Sequence, residues 1–324
     1  MASSAEERVA VIDLGSNSFR MEVFALRDRD WRCELERSSP VRIGEGLFSS
    51  GRLSEAGMER GLRALRELAA ACAQAGLTQQ QIDAVATSAI RDAENGLDFL
   101  AQAREQTGLD VRVLSREQEA RYGYLAAVHS TTLRDGCVLD LGGGSLQLVH
   151  VAGRIARESG SWRLGAVRMT ERFLAGEEPA KRSQCKALQA HVARKLGRGA
   201  PWLADAEKRL VGLGGTVRNL ATAAERAAGL PSEQVQGFLL TDEALSDLIE
   251  RLAALPAAER GSLPGIKPAR GDIVLAGALT IQQAMRQGGF EALEVTGAGL
   301  REGILLERHM VTSQLDALRP AQAA

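Results

Sequence analysis

The sequence predicts an α/β fold built from two related halves. Three observations carry that reading. Short apolar runs alternate with stretches of helical periodicity along all 324 residues. One motif, Asp-Leu-Gly followed by small and polar residues, occurs twice, at residues 13–18 and 140–145. The length suits about two domains of roughly 150 residues each.

The elements follow in order. The apolar run 9–12 reads as a strand, Asp13-Leu14-Gly15-Ser16-Asn17-Ser18 as a tight loop, and the alternation over 20–23 as a returning strand. Ser54 is placed to cap a helix in which Met58, Leu62, Leu65, Leu68, Ala69 and Cys72 recur at helical spacing, with Gly76 as its stop. Residues 82–86 read as a buried strand, 97–106 as a helix stopped by Gly108, and 111–114 as a short strand. Ser115 caps a helix over about 116–128, with Gln118 three residues on.

The second half repeats the opening. A strand at 137–139 leads into Asp140-Leu141-Gly142-Gly143-Gly144-Ser145, and 146–149 alternates again. Asp13 overlays Asp140, Gly15 overlays Gly142 and Ser18 overlays Ser145, a period too long for a solenoid. Then come a strand at 210–213, the loop Gly214-Gly215-Thr216 and a helix to about 228. Thr241-Asp242 caps another helix ending near Pro256. Residues 261–271 form a Gly/Pro-rich loop, 273–287 a buried helix, 293–296 a strand, 297–299 a turn and 300–315 a closing helix. The expected domains are 1–128 and 129–302, with the closing helix over about 303–318 packing back on the first and 319–324 as a flexible tail.

Composition excludes several classes. The apolar share is 45%, the charged share 25% and the formal net charge −1, so nothing global recruits nucleic acid or an anionic membrane. Cys33, Cys72, Cys137 and Cys185 lack metal or redox spacing and read as reduced thiols of a cytoplasmic protein. Residues 1–8 do not resemble a basic leader, and no apolar run approaches the roughly 18 residues of a membrane span. His129, His150, His191 and His309 are too scattered to read as a ligand set.

The chemistry lies in the loops. Gly and Ser after a strand let successive backbone N–H groups point at one anion, and Gly permits the close approach. Two such loops could hold a chain of phosphates from both sides. Gly214-Gly215-Thr216 precedes a helix, whose N-terminus is another anion site. An Asp beside a phosphate would repel it unless a cation lay between, so Asp13 and Asp140 imply a divalent metal, most simply Mg²⁺. The alternative is an Asp that bonds the next turn's N–H groups. Arg91, just past the strand end at 86, could hold phosphate with its planar fork.

Further segments complete a pattern. Val41-Arg42-Ile43-Gly44-Glu45-Gly46-Leu47, Ala86-Thr87-Ser88-Ala89-Ile90-Arg91 with Asn95, and Glu119-Ala120-Arg121 occur between the two loops. Gly165-Ala166-Val167-Arg168, Gly214-Gly215-Thr216 and Gly299-Leu300-Arg301-Glu302-Gly303 follow the second. In this order, from about residue 9 to 306, they resemble the exopolyphosphatase / guanosine pentaphosphate phosphohydrolase family. The resemblance implies the two-domain actin-like ATPase superfold, each domain a mixed sheet flanked by helices, with the active cleft between them. It implies that Glu119 activates the attacking water and that nearby phosphate charge raises its pKa. By the same resemblance Asp140 binds the metal, Mg²⁺ or Mn²⁺, while Ser16, Asn17 and Ser18 form one phosphate loop and Gly143, Gly144 and Ser145 the other. Arg91 matches the arginine near the phosphates. The implied substrate is inorganic polyphosphate or guanosine pentaphosphate, and the family leaves room for a homodimer.

This chain departs from the family in two places. Leu146 and Gln147 stand where the family usually has Thr-Glu, so Gln147 could ligate metal only weakly and brings no charge. Gln118 replaces a common Glu. These two amides also motivate a different reading, a protein that binds polyphosphate or a nucleotide alarmone with little turnover.

Overall fold

The computed structural model describes residues 7–27, 30–176, 178–230 and 235–310. The last part of the expected closing helix and the expected tail lie outside them. The described residues group into two compact units, 7–115 with 304–310, and 116–303.

In the first unit, β1 (Glu7–Leu14) turns back through four residues into β2 (Phe19–Arg27), which pairs with β3 (Asp30–Ser39). A short α1 (Leu47–Ser50) and the long α2 (Glu55–Gln74) follow. Ser54 caps α2 as expected, its side chain accepting from the Gly57 N–H. Then come β4 (Ile82–Ala86), α3 (Ser88–Asp92), α4 (Gly96–Thr107) and β5 (Val111–Val113). The sheet order is β3-β2-β1-β4-β5, antiparallel on the β3 side and parallel on the β5 side. Ile12 and Leu14 of β1 and Phe19 and Met21 of β2 bury one sheet face under Leu65 and Leu68 of α2 and Phe99 of α4. Each such side chain contributes about 1.5–3 kcal/mol by leaving water.

The second unit opens with α5 (Arg116–Ser130), then β6 (Gly136–Leu141), β7 (Leu146–Ala152) and β8 (Ile155–Trp162). α6 (Ala166–Phe173), α7 (Arg182–Gly199), β9 (Leu210–Leu213) and α8 (Gly215–Ala227) follow. β10 (Leu239–Thr241), α9 (Asp242–Ala253), α10 (Gly271–Gly288), β11 (Ala292–Val295) and α11 (Leu300–Arg308) complete the described chain. The sheet order is β8-β7-β6-β9-β11-β10. β6, β7 and β8 form an antiparallel meander, and β9 and β11 continue in parallel. This is the first sheet's order with β10 added at the edge, so the twofold motif marks a repeated domain. The expected α/β class holds, with a mixed sheet and flanking helices in each unit. Among the described residues no helix is long and apolar enough to cross a membrane.

α10 is apolar almost all round and forms the centre of the second unit, packed by α6, α7, α8 and α9. Its Gly277 lets α8 approach, because a Cβ there would lie 2.4 Å from the Thr216 methyl.

Several expectations change. The boundary expected after residue 128 falls after 115, because α5 packs on β6, β7, β8 and β9. β4 ends at Ala86 as expected, but the segment just past it that carries Arg91 forms the short helix α3. β3, β8, α6 and α7 carry no sequence prediction. β3 and β8 are edge strands with mostly exposed, charged or polar side chains, so they lack the apolar alternation that marks a strand.

Residues 304–310 join the first unit through Asp83 at the start of β4. Its carboxylate pairs with Arg112 at 3.2 Å and with Arg308 at 2.6 Å, and the His309 ring stands 3.8 Å away. Burial pushes the Asp83 carboxyl up, but the His309 ring and the charges of Arg308 and Arg112 outweigh it and hold the carboxyl below its ordinary 3.8. At 3.8 Å the ring is too far for a good hydrogen bond, so the arginines carry most of that effect. A depressed carboxylate stabilises the fold above its unfolded pKa and loses that contribution as pH falls through the folded value. Asp83→Asn should therefore lower stability by roughly 1–2 kcal/mol at neutral pH. Urea unfolding should show the difference from wild type shrinking as pH falls below the ordinary 3.8 and through the lowered folded value.

Candidate functional site

The second unit gathers most of the predicted residues. The loop between β6 and β7 is closed by the Gly142 N–H donating to the Ser145 carbonyl at 3.0 Å. Its carbonyls are claimed from the side of α6. The Ala166 N–H donates to Gly142 O at 3.0 Å and the Val167 N–H to Gly143 O at 2.8 Å, while Arg168 Nε reaches Gly144 O at 3.1 Å. A trans peptide directs its N–H opposite to its C=O. The N–H groups of Gly143, Gly144 and Ser145 therefore all point away from α6, as a row of three donors for one anion. Gly165, the N-cap of α6, makes this seat possible, because a Cβ there would stand 2.4 Å from the backbone of Gly143 and Gly144.

β6, β7 and β8 place three polar residues in one row. Asp140 pairs with Gln147 in register, and Gln147 with Ser161. Directly opposed residues share a sheet face. α5 covers these strands and brings Glu119, in its first turn, onto that row. Gln147 Nε2 lies 3.1 Å from Glu119 Oε2, 2.9 Å from Ser145 Oγ and 3.2 Å from Ser161 Oγ. Ser145 Oγ also donates to Glu119 Oε2, at 3.4 Å. Glu119, Ser145 and Gln147 are 6%, 4% and 3% exposed, so their polarity is satisfied within this cluster instead of by bulk water. A carboxylate at position 147 would oppose Glu119 across 3.1 Å, a repulsion of roughly 5 kcal/mol at an effective dielectric of about 20.

Asp140 stands one residue before the end of β6, between two glycines. A Cβ on Gly123 would sit 3.3 Å from its Oδ2, and one on Gly214 would sit 3.1 Å from its Oδ1. Gly214, at φ 101°, is also the N-cap of α8 and offers that helix no side-chain cap. The first N–H groups of α8, at Gly215 and Thr216, thus form a second donor set near Asp140. Asn219 braces this turn, donating to Gly215 O at 2.7 Å and accepting from the Lys267 N–H at 2.7 Å.

The first unit carries the matching loop with the same logic. Gly44 N–H donates to Ser16 O and Arg42 N–H to Asn17 O, both at 2.9 Å. The N–H groups of Asn17 and Ser18 therefore face the other way. Arg42 adopts φ 54° to make its bond, and a Cβ on Gly44 would stand 3.1 Å from that of Ser16. Ser16 and Ser88 share a hydrogen bond of 3.1 Å, which ties the Gly15–Ser18 turn to α3. Arg91, on α3, donates from Nη1 to the Leu114 carbonyl at 2.9 Å. One branch of its fork is thus committed to the scaffold.

The two loops are not equivalent. Asp13 stands opposite Arg20 in register, whereas Asp140 stands opposite neutral Gln147. Asp13 has a built-in cation across the hairpin, and Asp140 has none at that position. Among the described residues no three His, Cys, Asp or Glu side chains converge as a metal cage. Mg²⁺ asks for less, holding to proteins through one or two carboxylates and completing its shell with water and phosphate oxygens. Asp140, kept uncrowded by Gly123 and Gly214, fits that demand. The Gln147 amide nitrogen faces Glu119 and the two serines.

Glu119, Ser145 and Gln147 are thus brought into contact, with Asp140 on the adjoining strand. Arg91, Asp13, Ser16, Asn17 and Ser18 belong to the other unit. Sequence reasoning missed Ser161, Ser88 and the bracing role of Arg168. Ser161 lies on an edge strand without pattern, and only strand register reveals it.

The model of the Ppx/GppA phosphatase family matches residues 23–310. Exopolyphosphatase 1 of Mycobacterium tuberculosis is 30% identical over 311 residues, covering 93% of this chain and 88% of that protein. Among solved structures, a Ppx/GppA enzyme of Aquifex aeolicus is 30% identical with a TM-score of 0.76, over 94% of this chain and 100% of the other. An exopolyphosphatase of Cytophaga hutchinsonii shares the fold at a TM-score of 0.85 and 21% identity, over 97% of this chain and 99% of the other.

Gly165→Ala tests the seat of the Gly142–Ser145 turn. The backbone must move to admit the methyl, so the urea midpoint should fall by the equivalent of about 1–3 kcal/mol. An unchanged midpoint would mean that the loop does not rest on α6 in this way.

Proposed function

This chain belongs to the Ppx/GppA phosphatase family, a family of hydrolases, and from that premise we propose that it removes terminal phosphates from inorganic polyphosphate. The single observation that carries the reading is the buried Glu119 carboxylate beside the Gly143–Ser145 row of N–H donors. A terminal phosphoryl group is a triply oxygenated anion, and three aligned N–H groups match it. Glu119 accepts a proton from water, the water oxygen attacks the terminal phosphorus, and the bond to the bridging oxygen breaks. Orthophosphate and a polyphosphate one unit shorter are the products. The α8 N-terminus at Gly215 and Thr216 would hold neighbouring phosphate oxygens. The Gly15–Ser18 loop, tied by the Ser16–Ser88 hydrogen bond to the helix that carries Arg91, is the corresponding anion loop of the first unit.

Asp140 is the residue suited to hold Mg²⁺ or Mn²⁺, with waters and substrate oxygens completing the shell. Bound there, the ion would neutralise charge on the transferred phosphoryl group.

Purified protein with polyphosphate and Mg²⁺ should release orthophosphate. Glu119→Gln should lower kcat by about 10²–10⁴-fold, the usual worth of a general base. Equal activity of the variant and wild type would refute the assignment of the base. Parallel rates on guanosine pentaphosphate decide which phosphoanhydride is preferred, because both substrates present the same terminal group.

A further inference from the structure

We propose that Gln147 is a positioning residue for Glu119, its side-chain amide holding the carboxylate in the orientation that receives the water's proton. The inference rests on the reading of Glu119 as base and concerns a residue whose expected contribution was weak metal ligation.

The geometry fixes the amide's orientation. A carboxylate oxygen only accepts, so the group 3.1 Å from Glu119 Oε2 must be the NH₂ end of Gln147. Its two protons are shared among three acceptors, Glu119 Oε2, Ser145 Oγ and Ser161 Oγ. Ser145 Oγ receives one of them at 2.9 Å and passes its own proton toward Glu119 Oε2 at 3.4 Å. Each bond in such a chain polarises the next. Two donors therefore converge on one oxygen of the carboxylate and fix its plane.

The backbone supplies the rigidity. Gln147 lies mid-row between Asp140 and Ser161 on three hydrogen-bonded strands, while its neighbours Leu146 and Leu148 are fully buried on the opposite face. Ser161 holds the amide from the edge strand, so the side chain is anchored on the side away from Asp140. Buried at 3% exposure, it has little room for another rotamer. Small misplacements of a base are expensive in rate.

The role separates from binding. The phosphate-facing donors are backbone N–H groups of Gly143, Gly144 and Ser145, which Gln147 does not touch through its amide. Loss of the amide should then change kcat and leave KM nearly alone. Gln147→Met keeps the length and removes the donor. It should lower kcat at least tenfold, with KM for polyphosphate within about twofold of wild type. In the Glu119→Gln background, Gln147→Met should have almost no further effect on kcat, because there is no base left to position. Gln147→Glu keeps the shape and reverses the polarity, and it should also slow turnover at saturating Mg²⁺.

A Gln147→Glu variant as fast as wild type or faster overturns the proposal, and this outcome remains decisive should Gln147→Met fail to fold. An equal loss from Gln147→Met with and without Glu119, or a loss confined to KM, overturns it as well. Failure of the underlying reading looks different. In that case Glu119→Gln alone retains full activity, or wild type releases no orthophosphate from polyphosphate, whatever residue stands at 147.

Discussion

The three carbonyls of the Gly142–Gly144 segment set up the rest of the second unit's site. They are held by the first N–H groups of α6 and by the Arg168 side chain. Peptide planarity does the remainder, since fixing the carbonyls on one side aims the following N–H groups at the other. The loop sequence is thereby only half the device. The other half is a helix start more than twenty residues away, seated by the absent side chain of Gly165. A glycine loop without such a clamp would be a flexible turn, and its N–H groups would converge on nothing in particular.

The same device appears in both units, built differently. In the second, a helix N-terminus claims the carbonyls. In the first, the residues after β3 do so through Arg42 and Gly44, with Arg42 in a left-handed conformation that a side chain rarely adopts. The shared strand order shows that the hairpin and its loop are a repeated unit. The register positions opposite the two aspartates show how the copies diverged. Arg20 stands at one and Gln147 at the other, so one aspartate has a cationic residue opposite it in register and the other an amide.

That divergence defines the chemistry of the second copy. Glu119 is a buried carboxylate, and a buried charge persists only where donors surround it. Gln147 and Ser145 provide them. A second carboxylate at 147 would need a cation between the two, whereas the amide makes the pair compatible on its own. The substitution that reads as a loss of metal ligand is, in the fold, a gain of a hydrogen-bond donor.

Much of this was legible before any coordinates. The Asp-Leu-Gly repeat, the capped α2 helix, the strand at Ile82–Ala86 and the loop before α8 all depend on local pattern, which periodicity and glycine placement reveal. The edge strands were not legible, because a strand with one neighbour and mostly polar, exposed side chains shows no apolar alternation. Nor was the boundary at 115, since α5 carries apolar residues on most sides and only packing decides which sheet it covers. By itself, then, the sequence determined a duplicated α/β chain with two anion loops and an acidic residue between them in sequence. Strand register and helix packing decided that Glu119, Ser145, Gln147 and Ser161 meet, and that Gln147 meets them as a donor. Those residues lie up to 42 positions apart, and no local rule links them. Only hydrogen bonding between neighbouring strands puts them on one face, where burial then forces their polar atoms to pair.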